Sequence, residues 1–411
     1  MLNNFSLDIH FKRMKLNKTI LFVLILLLLK FTSSAQSTEN ENYTFTVTKE
    51  LAHTPVMNQY HTQTCWSFSG LSFLESEMLR SGKPETVLSE MFVVNYCYRK
   101  KAEKYIRMDG NTNFGPGGIF YDILDVIKNY GLVPERVYPG IKYNEDKHEH
   151  GEMDEVLKNM TSAVKENKAK KISPVWQDAL TKTIDTYLGK IPESFDYKGH
   201  TYTPKSFVSD YCGINPENYV QITSFSHHPF YEPFILEVPD NWIWSNFYNV
   251  PLDVMQEIID NSLDKGYTVA WAADVTEKGF ITTKKGIAVV PDATAMDSTE
   301  AAYFQKDLFP DKTGSISFNS NKPIKEKEIT QEMRQTAFDD QETTDDHGMH
   351  IIGLAKDQNG KIYYKVKNSW GNYNNYDGYF FASKPYVRYK TTSIMVNKNA
   401  IPENIRKKLG I

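Results

Sequence analysis

Three cysteines occur in the 411-residue chain, Cys65, Cys97 and Cys212. An odd count leaves at least one thiol outside any disulfide, and the surroundings of Cys65 are those of a reactive one. From Cys65 the apolar positions Phe68, Leu71, Leu74 and Met78 recur at helical spacing until Gly82 supplies a stop, so the periodicity predicts a helix that begins at the cysteine. Pro55 to Gln59, just upstream, reads as extended and turn-forming. At a helix start, unpaired N–H groups and the positive end of the helix dipole favour the thiolate, the nucleophilic form. The backbone N–H of Cys65 would donate to an oxyanion forming on a substrate carbonyl, and the Gln59 amide is placed to supply a second donor. A lone cysteine is more often a small buried hydrophobe, but this one carries the features of an acyl-transfer nucleophile.

Such a nucleophile needs a group that takes its proton and later returns one to the leaving amine, a task that suits imidazole near neutral pH. Ten histidines are available. His347 lies in DDHGMHIIGLAKDQNGKIYYKVKNSWG, residues 345–371, where two apolar runs around Asn359-Gly360 predict a hairpin. Its second strand ends at Asn368-Ser369-Trp370-Gly371. A two-residue turn at Asn359-Gly360 would pair Ile351 with Asn368 and leave His347 about 13 Å further along the strand, so a bulge or a shifted turn is required to bring the two together. His350 is the competing base. Three residues on, it points to the opposite strand face, where a packed or half-exposed histidine is the ordinary outcome. His53 and His61 read as cleft-rim or surface residues.

The segment PVMNQYHTQTCWSFS, residues 55–69, resembles the nucleophile signature of the papain-like cysteine peptidases: Gln59 stands six residues before Cys65, Trp66 follows it and Ser69 closes the motif. His347 ahead of a core strand, Asn368-Ser369-Trp370-Gly371 and Leu88-Ser89-Glu90 resemble further landmarks of that family. The resemblance implies Cys65 as nucleophile, His347 as its acid–base partner, Asn368 as the group that orients the imidazole and Gln59 as oxyanion donor. Trp370 would shield the His347–Asn368 hydrogen bond beside the substrate. Gly117 and Gly118 would line the non-primed groove, where backbone without side chains lets an extended peptide pair with it. Thr62 stands where the papain-type disulfide partner would be, and Gln63 where a glycine would be. These departures, with NVPLDVMQEIIDNSLDKGYTVAWAADVTEKGF at 249–280, resemble the branch containing bleomycin hydrolase and aminopeptidase C.

The implied fold is α+β, a two-lobed papain-like proteinase with a helical lobe, a β-barrel-like lobe and a helical insertion, and the groove between the lobes. The expected division is a leader at 1–35 and a peptidase domain at 36–411. Within it, about 42–140 would form the helical lobe with helices near 65–80, 89–100 and 118–130, and about 141–215 the insertion. The β-rich lobe would cover about 216–411. Amphipathic helices are read in the insertion from Val156, Met160 and Val164 and from Trp176, Leu180, Ile184 and Leu188. A helix from Pro251 to about Asp264, closed by Gly266, precedes a strand from Tyr267 to Ala273.

Hydrophobic residues make up 40% and charged residues 24%, enough to build a sizeable core. A formal charge of -4 lacks the basic surplus that phosphate backbones attract, so nucleic acid is not an expected partner. The apolar run Ile20 to Leu29, flanked by Lys15 and Lys18 and by Ser33-Ser34-Ala35, has the order of a secretory signal, with Met14 an alternative start. The mature chain is thus expected in the periplasm or outside the cell, with no membrane partner after cleavage. The stretch His148 to Glu152 reads as a solvated loop without metal-ligand spacing, His227-His228 lacks a further ligand signature, and Gly115 to Gly118 is a weak phosphate motif. No metal or organic cofactor is implied. Peptides are the expected substrates, with an aminopeptidase of the bleomycin hydrolase type as the leading function. That branch implies a homo-hexamer whose C-terminal arm meets the substrate amine. Here the end at Asn404 to Ile411 reads as shorter than the usual arm, which keeps a monomeric endopeptidase with an open groove as an alternative, and a non-catalytic peptide-binding relative as a third.

Overall fold

The computed structural model describes residues 43–143, 146–168, 171–295 and 323–411, and the expected leader lies outside the described residues. The first element is a strand, β1 (Phe45–Glu50), which belongs to the large sheet and not to the helical half where the sequence reading put it. Three helices follow, α1 (Cys65–Arg80), α2 (Glu90–Arg107) and α3 (Phe120–Asn129). Every residue of α1 from Trp66 to Met78 is buried. Ser67, Ser69, Gly70, Ser72 and Ser76 make this feasible, because small side chains let neighbours approach from all sides; a Cβ on Gly70 would strike Ile123 of α3. The Ser89 hydroxyl caps α2 by accepting from Phe92 N at 3.1 Å, and this helix runs beyond its expected end near 100.

The polar middle stretch forms α4 (Gly151–Lys165), α5 (Val175–Leu188) and a small hairpin of β2 (Phe195–Tyr197) and β3 (His200–Tyr202). Met153, Leu157, Leu180, Ile184 and Leu188 join the same apolar core as α1 to α3. In α4 the buried stripe is Met153, Leu157 and Thr161, whereas Val156 faces solvent, so the face read from Val156, Met160 and Val164 is rotated by one residue.

The sheet is built from β4 (Tyr219–Thr223), β5 (Pro233–Ile235), β6 (Asn246–Asn249), β7 (Val269–Ala273), β8 (Phe280–Ile281), β9 (Ile287–Ala288), β10 (His347–Asp357), β11 (Ile362–Lys367), β12 (Tyr379–Ser383) and β13 (Thr391–Asn397). Its order is β5-β6-β4-β13-β7-β10-β11-β12-β9-β8, with β1 added on β10. Helices among and after these strands include α6 (Leu252–Asp264), α7 (Gln331–Asp339), α8 (Lys384–Lys390) and α9 (Glu403–Leu409). Ile258 of α6, Trp271 of β7, Met349 and Ile351 of β10, Tyr386 of α8 and Ile405 and Leu409 of α9 share a second apolar core. Among the described residues no helix is long and apolar enough to cross a membrane.

Strand β10 is the hinge of the architecture. One edge pairs with β11; the other pairs with β7 over His347–Ile351 and with β1 from Gly353 onward. The partner changes where the β11 register also shifts, between Ile351 and Gly353. Gly353 is required at that switch, since a Cβ there would run into the Lys49 carbonyl.

Candidate active site

The N-terminus of α1 abuts the start of β10. Cys65 is the first residue of the helix, as the periodicity predicts, and its Sγ accepts a hydrogen bond from the Gly348 N–H at 3.3 Å. This approach depends on a missing side chain: a Cβ on Gly348 would lie 2.7 Å from Ser69 Oγ and 3.1 Å from Trp66 Cα. Ser69 turns its hydroxyl back onto the Cys65 carbonyl at 2.7 Å, which holds the first turn closed.

His347 and Asn368 are brought together by two local adjustments. The β10–β11 turn is tightened by Asp357, whose Oδ1 accepts from the N–H groups of both Asn359 and Lys361 at 2.9 Å. With the bulge after Ile351, this sets Ile351 opposite Val366 instead of Asn368, a slide of two residues from the simple hairpin register. The side chains close the remaining gap, and His347 Nε2 lies 2.8 Å from Asn368 Oδ1. Asn368 is itself fixed, for its Oδ1 also accepts from Ser369 N at 2.8 Å and its Nδ2 donates to Tyr373 Oη at 3.0 Å. Trp370 stacks on the imidazole with ring centroids 4.8 Å apart, covering that hydrogen bond. His350 does turn to the other face, where it is packed and wholly buried. Its Nδ1 lies 2.9 Å from Ser72 Oγ and Phe73 meets its ring edge-on.

Gln59 is tied to the same segment. Its N–H donates to the Ser369 carbonyl at 2.8 Å, and Ser369 Oγ donates to Gln59 Oε1 at 2.6 Å. The oxygen half of the amide is thereby engaged, which leaves the NH2 half as the donor. Gly118 lines the same cavity as Cys65 and His347, and it follows Gly117 in a turn organised by two residues that sequence reasoning passed over. Lys101 is buried and donates its ammonium to the Gly115 carbonyl at 2.8 Å and to that of Gly117. Asp122 accepts from Trp242 Nε1 at 2.8 Å and from Ile119 N at 3.2 Å. Gly118 must lack a side chain, because a Cβ would sit 2.6 Å from Asp122 Oδ2 and 2.8 Å from Trp66 Cε2. Gly117 is not the bare strip expected: the Asp240 carboxylate packs directly on its Cα.

Burial dominates the electrostatics. It pushes the Cys65 thiol up to about 12; the Gly348 N–H acts the other way, and the Asp240 and Asp345 carboxylates add to the rise. Burial likewise holds the His347 imidazole down to about 4, against the stabilising hydrogen bond of Asn368. Burial thus opposes what the helix start favours at the sulfur. Each charge is disfavoured by itself, so the proton is best moved from sulfur to nitrogen as a pair of opposite charges forms.

Other histidines stand apart from this centre. His148 and His150 are buried, not part of a solvated loop: His148 packs edge-on against Phe68 and His150, and the neighbouring Glu149 pairs with His61 at 2.6 Å. His53 bonds Glu50 at 3.0 Å. His227, His228 and Glu237 come close enough to hold a metal ion. However, the Gln335 amide donates to His227 Nδ1 at 3.1 Å, which places the ring hydrogen on Nε2, where it donates to Glu237 and leaves no lone pair for an ion. Cys97 and Cys212 are free, buried thiols. Of the residues missed, Asp345 lay in plain sight two positions before His347, whereas Lys101 and Asp240 carry no local sequence signal.

The sequence profile of the Peptidase C1-like family matches residues 23–299 and 293–410. Aminopeptidase C of Lactobacillus delbrueckii subsp. lactis is 23% identical over 407 residues, covering 89% of this chain and 83% of its own. Cysteine proteinase 1, mitochondrial, of Saccharomyces cerevisiae (strain YJM789) is 21% identical over 401 residues, covering 86% and 77%. The crystal structure of PepW from Lactobacillus rhamnosis HN001 superposes with a TM-score of 0.67 at 18% identity, over 89% of this chain and 84% of that one, and shares the α+β papain-like fold. With its profile matched along most of its length and its relatives drawn from the aminopeptidase C branch, this chain is a cysteine peptidase that belongs to the Peptidase C1-like family.

Proposed function

We propose that this chain is an aminopeptidase that cleaves peptide bonds through a thioester on Cys65. The observation that carries the reading is the convergence of Cys65 Sγ on the Gly348 N–H at the foot of the strand whose first residue, His347, is held by Asn368 at 2.8 Å. In the proposed reaction Sγ attacks the scissile carbonyl as its proton passes to His347. The new C–O⁻ is held by the Cys65 N–H and the Gln59 NH2 group. The C–N bond then breaks as the imidazolium returns the proton to the leaving amine, and water cleaves the thioester by the same path in reverse. The seating of Asp240 on Gly117 supports an exopeptidase over an endopeptidase, since a long non-primed peptide would need that backbone uncovered.

Export from the cytosol and a homo-hexameric assembly go with this reading. Cell fractionation tests the first, and finding the chain in the cytosol overturns it; light scattering tests the second, and a monomeric mass overturns it. The activity itself is tested by mass spectrometry of a peptide mixture digested by the purified protein. Stepwise loss of N-terminal residues from unblocked peptides is expected. Internal cleavage of N-acetylated peptides at comparable rates would refute the aminopeptidase assignment.

A further inference from the structure

The cavity that holds Cys65 and His347 is also lined by Gly118, Ser393 and three acids, Asp240, Asp345 and Asp346, of which Asp346 is exposed. The cavity is small and opens to solvent. Asp240 reaches it from the connection between β5 and β6, residues 236–245. That connection is clamped from within: Asn241 Nδ2 donates to the carbonyls of Leu236 and Ser245 at 3.0 and 3.1 Å, while its Oδ1 accepts from Ser245 N at 2.9 Å. Trp242 anchors its far side on Asp122. Asp240 is thus held in advance over Gly117, with Asn113 Nδ2 donating to its Oδ1 at 3.1 Å and the Gly118 N–H facing it.

Asp345 enters from the other wall, two residues before His347, and the Asp240 N–H faces its carboxyl. Its Oδ2 is shut off from solvent and has no hydrogen-bond partner. A buried, unpaired carboxylate oxygen is costly. Lys101, the cation that acts most on Asp240, spends its ammonium on the carbonyls of Gly115 and Gly117. Burial and the neighbouring acids lift Asp345 to about 8, the behaviour of an acid pair that lacks its counter-ion. What is missing is a small cation with several N–H donors, one residue away from a carbonyl under attack by Cys65.

We propose that Asp240 and Asp345 bind the α-ammonium group of the residue being removed, and that the 236–245 connection is the wall that limits cleavage to a single N-terminal residue. This inference rests on the aminopeptidase reading and names the groups that enforce it. A protonated α-amine donates to both carboxyls, and the carbonyl two bonds away falls at the sulfur. An N-acetylated amine lacks that charge.

Paired fluorogenic substrates test it, an aminoacyl amide with a free amine and its N-acetyl counterpart, with wild type, Asp240→Asn and Asp345→Asn. Wild type is expected to favour the free amine strongly. Loss of one charge-assisted contact should lower kcat/KM for that substrate by about 10–100-fold, mainly through KM, while the rate on the acetylated substrate stays level or rises. Alkylation of Cys65 by iodoacetamide and thermal melting report whether each variant is folded, and either variant alone suffices. An unchanged free-amine preference in the folded variants overturns the inference while leaving the aminopeptidase assignment intact. Internal cleavage of blocked peptides by wild type defeats that assignment itself. Preference for acetylated substrates with lysine or arginine next to the cleaved residue, abolished in the variants, would instead assign the acids to a side chain and also overturn the inference.

Discussion

Replacing Asn368 by aspartate probes the imidazole through the side chain that hydrogen-bonds it. His347 Nε2 is 2.8 Å from Asn368 Oδ1, so Asn368→Asp places a full negative charge at hydrogen-bond distance with little change of shape. The Ser369 N–H keeps an acceptor, and the Tyr373 hydroxyl, now accepting from Nδ2 at 3.0 Å, can rotate to donate. In the wild type, burial holds His347 down to about 4. The second proton, which would convert the thiol–imidazole pair into an inert thiol–imidazolium, therefore binds only in acid. An opposite charge in contact favours the protonated ring by about 1–3 pH units. The acid limb of kcat/KM, which reports the free enzyme, should accordingly move up from near 4 to roughly 5–7. Asp240, Asp345 and Asp346 also face this region, but they are common to both proteins, so the difference between the two profiles isolates the ring. Stopped-time assays of a free-amine aminoacyl amide across the acid range give both curves. Superimposable acid limbs would refute the reasoning.

Gln59→Ala removes one oxyanion donor and should lower kcat by about 10²–10³-fold with KM little changed; a loss confined to KM would assign Gln59 to substrate binding instead. Gly118→Ala inserts a methyl 2.6 Å from Asp122 Oδ2 and 2.8 Å from Trp66 Cε2, and overpacking of this kind costs about 1–3 kcal/mol, measurable as a lowered Tm. Lys101→Met strips the Gly115 and Gly117 carbonyls of their donor and removes a positive charge that favours the Asp122 carboxylate. By analogy with breaking a buried ion pair, denaturant titration should show a loss of about 3–5 kcal/mol, and an unchanged midpoint would contradict the role given to Lys101.

The candidate site was legible because its parts are local. A helix start, a strand start and a strand end are each marked by short-range pattern, and Cys65, His347 and Asn368 occupy them. The join between them was not. The simple hairpin register left His347 short of Asn368, and the two-residue slide depends on an Asp357 side-chain turn and on the meeting of β1, β7 and β11 along β10. No single segment encodes that meeting. The same limit hid β1, whose pairing partner β10 lies at the far end of the chain, and the true face of α4, where Val156 and Leu157 are equally apolar in sequence and only the tertiary neighbour decides between them. Asp240 stayed invisible for another reason. In sequence it is one acid among many, and its meaning comes from Gly117, which has no side chain to keep it out.

Covalent chemistry at Cys65 is the claim on which the account stands, and rapid-quench mass spectrometry of the protein with an aminoacyl ester tests it most directly. The account predicts a transient mass increase equal to the acyl group on the peptide containing Cys65, absent in Cys65→Ala together with turnover. Turnover by Cys65→Ala at the wild-type rate, or an acyl group carried on any other residue, would contradict it.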